Sequence, residues 1–177
     1  DTPYSTPRGS PVQTPFGEDM FALSLSITAG KPGNLKKAEK YFRQALKIKP
    51  EYTTALFNLG NVLNDQWIND EAIRCFEKVI KIDPNYLSAH FNLGIIYREL
   101  GDLEKEILCY EKTIAIDPNH SKANNNLGLA FKKTGNYNKA INYYETAIKI
   151  DPNLAEAHNN LGTIFSELGE SNKAIKQ

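Results

Sequence analysis

The chain has 177 residues, of which 41% are hydrophobic and 24% are charged, as in an ordinary globular protein. Its 21 basic and 21 acidic residues give no formal net charge, which argues against nucleic acid or an anionic membrane as a partner. No apolar run approaches the roughly 18 residues that span a bilayer. Two cysteines, Cys75 and Cys109, are too few for a disulfide framework, so we expect buried thiols in a cytoplasmic protein.

Residues 1–18 differ in character from the rest of the chain. They read DTPYSTPRGSPVQTPFGE, with four prolines that each follow serine or threonine. Proline at this density, with few aliphatic residues, favours a disordered tail or linker. Two interpretations remain open: the segment is a linker or a piece foreign to the protein that follows, or it is a run of phosphorylation sites. Those sites would be Thr2, Thr6, Ser10 and Thr14.

The rest of the chain repeats itself every 34 residues. The recurring residues are Pro50, Pro84, Pro118 and Pro152, then Gly60, Gly94, Gly128 and Gly162, each glycine preceded by leucine. Within each unit the apolar residues recur at helical intervals in two segments. The predicted units are 19–52, 53–86, 87–120 and 121–154, with a partial fifth unit at 155–177.

Turn residues separate the two helices of each unit. Gly101, Gly135 and Gly169 stand where the first helix must end, because glycine accepts a left-handed backbone at little cost. Trp67 takes this place in the second unit, and the second helix of a unit ends before Asp-Pro-Asn, since proline cannot continue it. The sequence therefore predicts an all-α solenoid of antiparallel helix pairs. The apolar residues 20–30 are then the first helix of a divergent first unit.

Small and aromatic residues predict how the helices pack. Each repeat glycine lets two helices approach closely, with Ala72, Ala140 or Ala174 facing the contact twelve residues later. Aromatic side chains fill the remaining space, and these are Phe42, Phe76, Tyr110, Tyr144, Tyr97, Phe131 and Phe165. Glu106 stands at one of the alanine positions. We expect its carboxylate to swing outward into solvent; the alternative is a specific polar contact.

These residues make the chain resemble the tetratricopeptide repeat family. Residues 90–119, HFNLGIIYRELGDLEKEILCYEKTIAIDPN, carry the family's Asn-Leu-Gly, aromatic, glycine, aromatic and Asp-Pro-Asn pattern in order. The resemblance covers about residues 19–177. It implies a right-handed superhelical solenoid whose first helices line a concave groove for a peptide or a partner helix. The sequence holds no catalytic constellation, so we expect no enzyme activity, no cofactor and no metal.

An asparagine two residues before each repeat glycine is the leading candidate for ligand contact. These four residues are Asn58, Asn92, Asn126 and Asn160. A primary amide both donates and accepts hydrogen bonds, so it can pair with a peptide backbone regardless of the peptide's side chains. The arrangement resembles the repeat arms of O-linked N-acetylglucosamine transferases, where such asparagines hold extended substrate peptides. The alternative is that each amide bonds only to its neighbouring helix.

Further polar and basic residues are expected on the same surface. They are Asn61, Arg98, Lys122, Asn125, Lys132 and Lys133. The basic ones suggest a ligand of some acidic character, or simply a solvated face. The family's carboxylate clamp carries lysine one residue before the asparagine, where this chain has Phe57, Phe91, Asn125 and Asn159. This departure argues against chaperone tails as ligands.

The leading functional hypothesis is a non-catalytic protein-interaction scaffold that binds an extended peptide or a partner helix in the concave groove. The alternative is the substrate-selecting arm of a larger enzyme such as a glycosyltransferase, with its catalytic domain beyond Gln177. A third hypothesis places residues 1–18 in the chain's own groove. Gln177 falls one residue before the fifth aromatic position, so we expect a fragment of a longer array. Self-association through an uncapped C-terminal repeat then stays open.

Overall fold

The computed structural model describes the backbone of residues 32–175 and the side chains of residues 34–169. This part of the chain forms eight α-helices and no strand. They are α1 Pro32–Ile48, α2 Thr53–Asp65, α3 Asn69–Ile82, α4 Leu87–Leu100, α5 Leu103–Ile116, α6 Ser121–Lys133, α7 Tyr137–Ile150 and α8 Ala155–Ile175. Residues 1–18 and the predicted first helix of the first unit lie outside the described residues. None of the described helices is long and apolar enough to cross a membrane.

The helices pack as successive pairs, which confirms the predicted all-α architecture. The closest neighbours are the two helices of one pair: α2 with α3, α4 with α5, and α6 with α7. The second helix of each pair then contacts the first helix of the next pair. Each unit therefore buries its apolar faces against both neighbours in the sequence, as expected of a solenoid.

The turn between pairs is held by the Asp-Pro-Asn sequence. In each of three such turns the aspartate carboxylate accepts a hydrogen bond at 3.0 Å from the backbone N–H of the asparagine two residues later. The carboxylate thus imitates a backbone turn, and the intervening proline prevents the helix from continuing. The aspartates are Asp83, Asp117 and Asp151.

The turn inside each pair uses a left-handed residue. Gly101 and Gly135 have φ angles of 76° and 74°, as predicted from their positions. Trp67 occupies the same place and adopts the same conformation, with φ 61°. It is the one residue other than glycine with a positive φ among those that the structure describes. The Ile68 N–H donates to the Leu63 carbonyl at 2.9 Å, so the turn keeps its hydrogen bond although no glycine is present.

The prediction of a turn at Gly169 is wrong. Helix α8 continues through this glycine to Ile175 and has 21 residues. A glycine in a helix interior costs only about 1 kcal/mol relative to alanine, whereas each continued turn adds backbone hydrogen bonds. In the earlier units a packed second helix stabilises the turn, and no described helix does so for α8.

Aromatic rings, not alanines, fill the space left by the repeat glycines. A Cβ atom built on Gly60 would lie 2.8 Å from the Phe76 ring, and one on Gly94 would lie 2.5 Å from Tyr110. Ala72 is fully buried nearby, yet the ring sixteen residues after each glycine makes the close contact. The predicted close approach is therefore confirmed. At Gly128 the predicted alanine does face the contact, since the Ala140 backbone oxygen lies 3.2 Å from an added Cβ, but an aromatic ring is the nearer neighbour at all three glycines.

The last aromatic of the predicted set is not buried. Phe131 is packed in the fourth unit, where its ring stacks on Tyr143 of α7 at a centroid distance of 5.5 Å. Phe165 is its counterpart in α8 and is 54% exposed. The difference follows from the straight course of α8, because no described second helix brings a ring against Phe165.

Glu106 does not swing outward, so the preferred expectation for it is wrong. Its side chain is only 1% exposed, and Oε2 accepts a hydrogen bond from the Lys133 Nζ at 3.1 Å. The alternative, a specific polar contact, is the one observed. Cys75 and Cys109 are buried free thiols, and burial raises the pKa of Cys109 to about 12.

Candidate functional site

The four periodic asparagines lie on one side of the first helices, which we name the asparagine face. Each stands two residues before a repeat glycine, so its side chain points about 200° around the helix from the glycine. The glycines of α2, α4 and α6 face the buried ring of their own unit, and the asparagines therefore point away from that ring. All four of them, Asn58, Asn92, Asn126 and Asn160, are half-buried.

Two of these asparagines bond to the preceding first helix. The Asn92 amide of α4 donates to Asn61 Oδ1 of α2 at 2.7 Å. The Asn160 amide of α8 donates to Asn125 Oδ1 of α6 at 3.0 Å. These bonds correspond to the alternative interpretation, in which an amide serves its neighbouring helix. They also fix the orientation of both amide groups, since each acceptor lies on another element.

The other two asparagines are not tied in this way. Asn58 makes no hydrogen bond to any described residue and lies on α2 next to the Asn61–Asn92 pair along the face. The Asn126 amide lies close enough to the Tyr110 hydroxyl to lower its pKa, although no well-aligned hydrogen bond joins them. The face therefore alternates between amides that are bonded to a neighbouring first helix and amides that are not.

Two tyrosine hydroxyls are buried without a well-aligned hydrogen-bond partner, and one of them lies beside Asn126. They belong to Tyr110 and Tyr144, the rings that cover Gly94 and Gly128. Burial raises the pKa of both, that of Tyr144 to about 12. The equivalent residue in the earlier units is phenylalanine, so the hydroxyls are an addition to the fold rather than part of its packing.

The basic residues divide into paired and unpaired ones. Lys132 bonds Glu167 at 2.7 Å, and Lys133 bonds Glu106 at 3.1 Å. Arg98 of α4 and Lys122 of α6 form no salt bridge with any described residue. Of the four basic residues predicted for this surface, Arg98 and Lys122 are therefore the two whose charge remains available to a ligand.

Sequence reasoning allowed for bonds between these amides and a neighbouring helix, but it did not identify Asn61 and Asn125 as the partners. Asn61 has no counterpart asparagine in the later units, where Ile95, Leu129 and Thr163 take its place. Asn125 is matched by phenylalanine in two units, and the structure buries it to 8% exposure. An asparagine at a position where other repeats carry an apolar residue therefore indicated a hydrogen-bond partner on the next first helix. In the same way, the change from phenylalanine to tyrosine in the later units indicated the two buried hydroxyls.

Comparison with protein families gives matches to the tetratricopeptide repeat over most of the array. One repeat model matches residues 69–101 and 131–169, a second matches 109–142, and a third matches 24–52 and 87–120. A comparison with curated protein sequences gave no match.

Solved structures of similar fold include two proteins. A crystal structure of MamA is 26% identical, with a TM-score of 0.74, and the match covers 81% of this chain and 84% of that one. The first TPR of Spaghetti (RPAP3), bound to the HSP90 peptide SRMEEVD, is 26% identical with a TM-score of 0.63, over 66% of this chain and 93% of that one. MamA from Desulfovibrio magneticus RS-1 is 21% identical with a TM-score of 0.74, over 91% and 92% of the two chains, and shows the fold alone.

Proposed function

Since the chain is built from tetratricopeptide repeats, we propose that it is a non-catalytic protein-interaction scaffold that binds an extended peptide along the asparagine face. The observation that carries the proposal is that Asn58 and Asn126 are not bonded to a neighbouring first helix, although Asn92 and Asn160 on the same face are. The similar RPAP3 domain is bound to a peptide, which supports the same general role here.

The distance between the amides of Asn58 and Asn126 suits an extended peptide. Asn58 and Asn126 are two units apart, and packed helices lie about 8–10 Å from each other, so the amides are separated by about 16–20 Å. An extended peptide rises about 3.3 Å per residue, and it therefore crosses this span in about five or six residues. Each amide would donate to one peptide carbonyl and accept from one peptide N–H.

The charge on this face favours a peptide with acidic side chains. Arg98 acts on the Tyr110 hydroxyl, which Asn126 also reaches, and Lys122 stands one helical turn before Asn126 on α6; neither forms a salt bridge with a described residue, and each would gain a charge-assisted hydrogen bond from a carboxylate. The peptide bound to RPAP3 carries two glutamates and an aspartate, which is consistent with this preference in a relative.

Recognition of a C-terminal carboxylate is not part of the proposal. The clamp positions hold Phe57 and Phe91, whose rings pack against Tyr86 at 5.1 Å and against His120 at 4.7 Å. These rings offer no cation to a terminal carboxylate. We therefore expect the surface to recognise acidic side chains within a peptide, and we expect a free C-terminus to contribute little to the affinity.

The test uses variants that leave the Asn61–Asn92 and Asn125–Asn160 hydrogen bonds intact. Peptides selected from an acidic peptide library should bind the full chain, and the double variant Asn58→Ala/Asn126→Ala should bind them at least about tenfold more weakly, because two backbone hydrogen bonds are lost. Asn138→Ala/Asn142→Ala on the exposed side of α7 is the matched control. Fluorescence anisotropy gives the affinities, and thermal melting establishes that the variants fold. Equal affinity of the two double variants would overturn the proposal.

The alternative, a substrate-selecting arm of a larger enzyme such as a glycosyltransferase, uses the same face and stays a prediction. It requires a catalytic domain encoded beyond Gln177. The open Phe165 and the uncovered Gly162 of α8 are consistent with association through the last repeat, whether with further repeats or with a second copy.

A further inference from the structure

The outward face of α1 carries a continuous basic stripe. Its residues follow one another at helical spacings of four, three and four, and they are Lys36, Lys40, Arg43 and Lys47. The same positions of the later second helices hold Asp70, Arg74, Glu77 and Lys81, then Glu104, Leu108, Glu111 and Ala115, then Asn138, Asn142, Glu145 and Lys149. The repeat fold therefore does not require basic residues there, and the stripe belongs to α1 alone among the described second helices.

The stripe borders two adjoining cavities, which we name the basic groove. The first has a volume of about 370 Å³, with α1 and α3 as its walls and Leu56 and Leu59 of α2 as an apolar floor. The second has a volume of about 550 Å³ and extends toward the start of α1, with Gln66 at its edge. Arg43 and Lys47 line both cavities. Each volume is in the range of ordinary ligand pockets.

Most of the charge in the basic groove is unneutralised. Arg43 is held by Glu71 at 2.7 Å and by Glu39 at 2.9 Å, which fixes its guanidinium between the two helices. Lys47 and Lys78, on opposite walls of the first cavity, form no salt bridge with a described residue, and neither does Arg74. Cations converging on one cavity repel one another, and an anion bound between them would relieve that repulsion.

We propose that the basic groove is a phosphopeptide site whose occupant is the chain's own segment 1–18, phosphorylated at its serine or threonine residues before proline. A proline-directed kinase would transfer the γ-phosphoryl group of ATP to the hydroxyl oxygen, releasing ADP and a proton. Each phosphate adds about −1.5 to −2 charge and three acceptor oxygens. The cations of this site lie on the second helices α1 and α3, whereas the asparagine face lies on the first helices; only the apolar floor, Leu56 and Leu59, belongs to a first helix.

The spacing of the phosphates matches that of the cations. Thr2, Thr6, Ser10 and Thr14 are four residues apart. In an extended proline-rich chain that interval is about 12 Å. Along α1, Lys40 and Lys47 are seven residues apart, a rise of about 10 Å. Two successive phosphates therefore fit the two cavities, one beside each lysine.

The segment is also close enough along the chain. Thirteen residues, 19–31, separate it from Pro32, where α1 begins. Eleven of them are the predicted first helix, about 16 Å long, so the reach comes mainly from segment 1–18, which spans up to about 60 Å when extended, whereas α1 is about 25 Å long. Every point of the basic groove is thus within reach without a second molecule, and the high effective concentration of a tethered segment would favour binding within one chain.

Binding is tested with the full chain and a fluorescent synthetic peptide of residues 1–18 that is phosphorylated at Thr6 and Ser10. The phosphopeptide should bind at least about tenfold more tightly than the unphosphorylated peptide, and the affinity should fall with added salt. The variant Lys40→Glu/Lys47→Glu should lose at least about tenfold in affinity. The control Lys112→Glu/Lys149→Glu makes the same charge change on α5 and α7 and should bind normally. Equal binding of both peptides, or equal loss in both variants, would overturn the site.

A second measurement identifies the occupant. The full chain is treated with a proline-directed kinase, its phosphorylation is established by mass spectrometry, and the labelled phosphopeptide is added. If the phosphorylated segment fills the basic groove of its own chain, the treated protein should bind the peptide much more weakly than the untreated protein. Its sedimentation coefficient should be unchanged, because the segment binds within one chain. Unchanged affinity after phosphorylation would show that the segment is not the occupant.

Discussion

The Lys133 ammonium lies 3.1 Å from Glu106 Oε2, and this ion pair joins the second helix of one repeat to the first helix of the next. The carboxylate is buried, whereas the lysine side chain is 42% exposed. Its second oxygen, Oε1, is buried without a partner. The carboxylate thus depends on one cation, and the interface contains a charge at a position where the neighbouring repeats have alanine.

The two sides of this ion pair should respond oppositely to substitution. Lys133→Met leaves a buried carboxylate without its cation and should lower the free energy of unfolding by about 1–3 kcal/mol. Glu106→Ala restores the alanine of Ala72 and Ala140 and should be neutral or stabilising. Urea denaturation of the single and double variants measures both effects. An equal loss in the two single variants would contradict this account of the pair.

The repeat glycines should differ in their tolerance of a methyl group. Gly94→Ala places Cβ against the Tyr110 ring, at 2.5 Å without relaxation, and should destabilise the fold by about 1–3 kcal/mol. Gly162→Ala is the matched control, because nothing lies within 4 Å of its added Cβ. Alanine is the better helix former by about 1 kcal/mol, so this variant should be more stable than the wild type. Thermal unfolding separates the two outcomes. A Gly94→Ala protein as stable as the wild type would show that the Tyr110 ring moves aside at little energetic cost.

The strained turn at Trp67 should improve on substitution by glycine. A left-handed backbone costs a residue with a side chain roughly 1–2 kcal/mol, and the indole is 75% exposed, so its removal sacrifices little packing. Trp67→Gly should therefore raise the melting temperature. Gly101→Ala should lower it, because it forces alanine into the left-handed conformation of this turn. A fall in stability for Trp67→Gly would mean that the exposed indole makes contacts that stabilise the turn.

The buried hydroxyl of Tyr144 predicts a dependence of stability on alkaline pH. Burial raises the pKa of this phenol to about 12 in the folded chain, above the ordinary value of about 10 that applies when it is unfolded. The unfolded chain therefore releases the proton first, and stability falls as the pH rises from about 10 to about 12. Tyr144→Phe should lose less stability between pH 9 and pH 11 in urea titrations. It should also be slightly more stable at neutral pH, since an unpartnered hydroxyl is removed.

The helices could be predicted from the sequence because residues close to one another along the chain determine where each helix begins and ends. Apolar spacing, the Asp-Pro-Asn turn and Gly101 or Gly135 each act within a few residues, and the structure follows them. Gly169 failed as a turn because its outcome depends on a packed second helix, which α8 lacks among the described residues.

The details of the asparagine face could not be predicted in the same way. Asn61 bonds a residue 31 positions later and Asn125 one 35 positions later, so neither pairing follows the 34-residue period. Glu106 meets a cation 27 positions away on the next helix. Periodicity indicates which face a side chain occupies, but the partner it finds there depends on how two helices are set against each other.

The most direct test of the central claim is an NMR titration of the side-chain amides with an acidic peptide that binds the full chain. The amide signals of Asn58 and Asn126 should shift with the fraction of peptide bound, because these amides are available on the asparagine face. Those of Asn138 and Asn142 on α7 should not move. Peptide binding that leaves the Asn58 and Asn126 signals in place would contradict the proposed site.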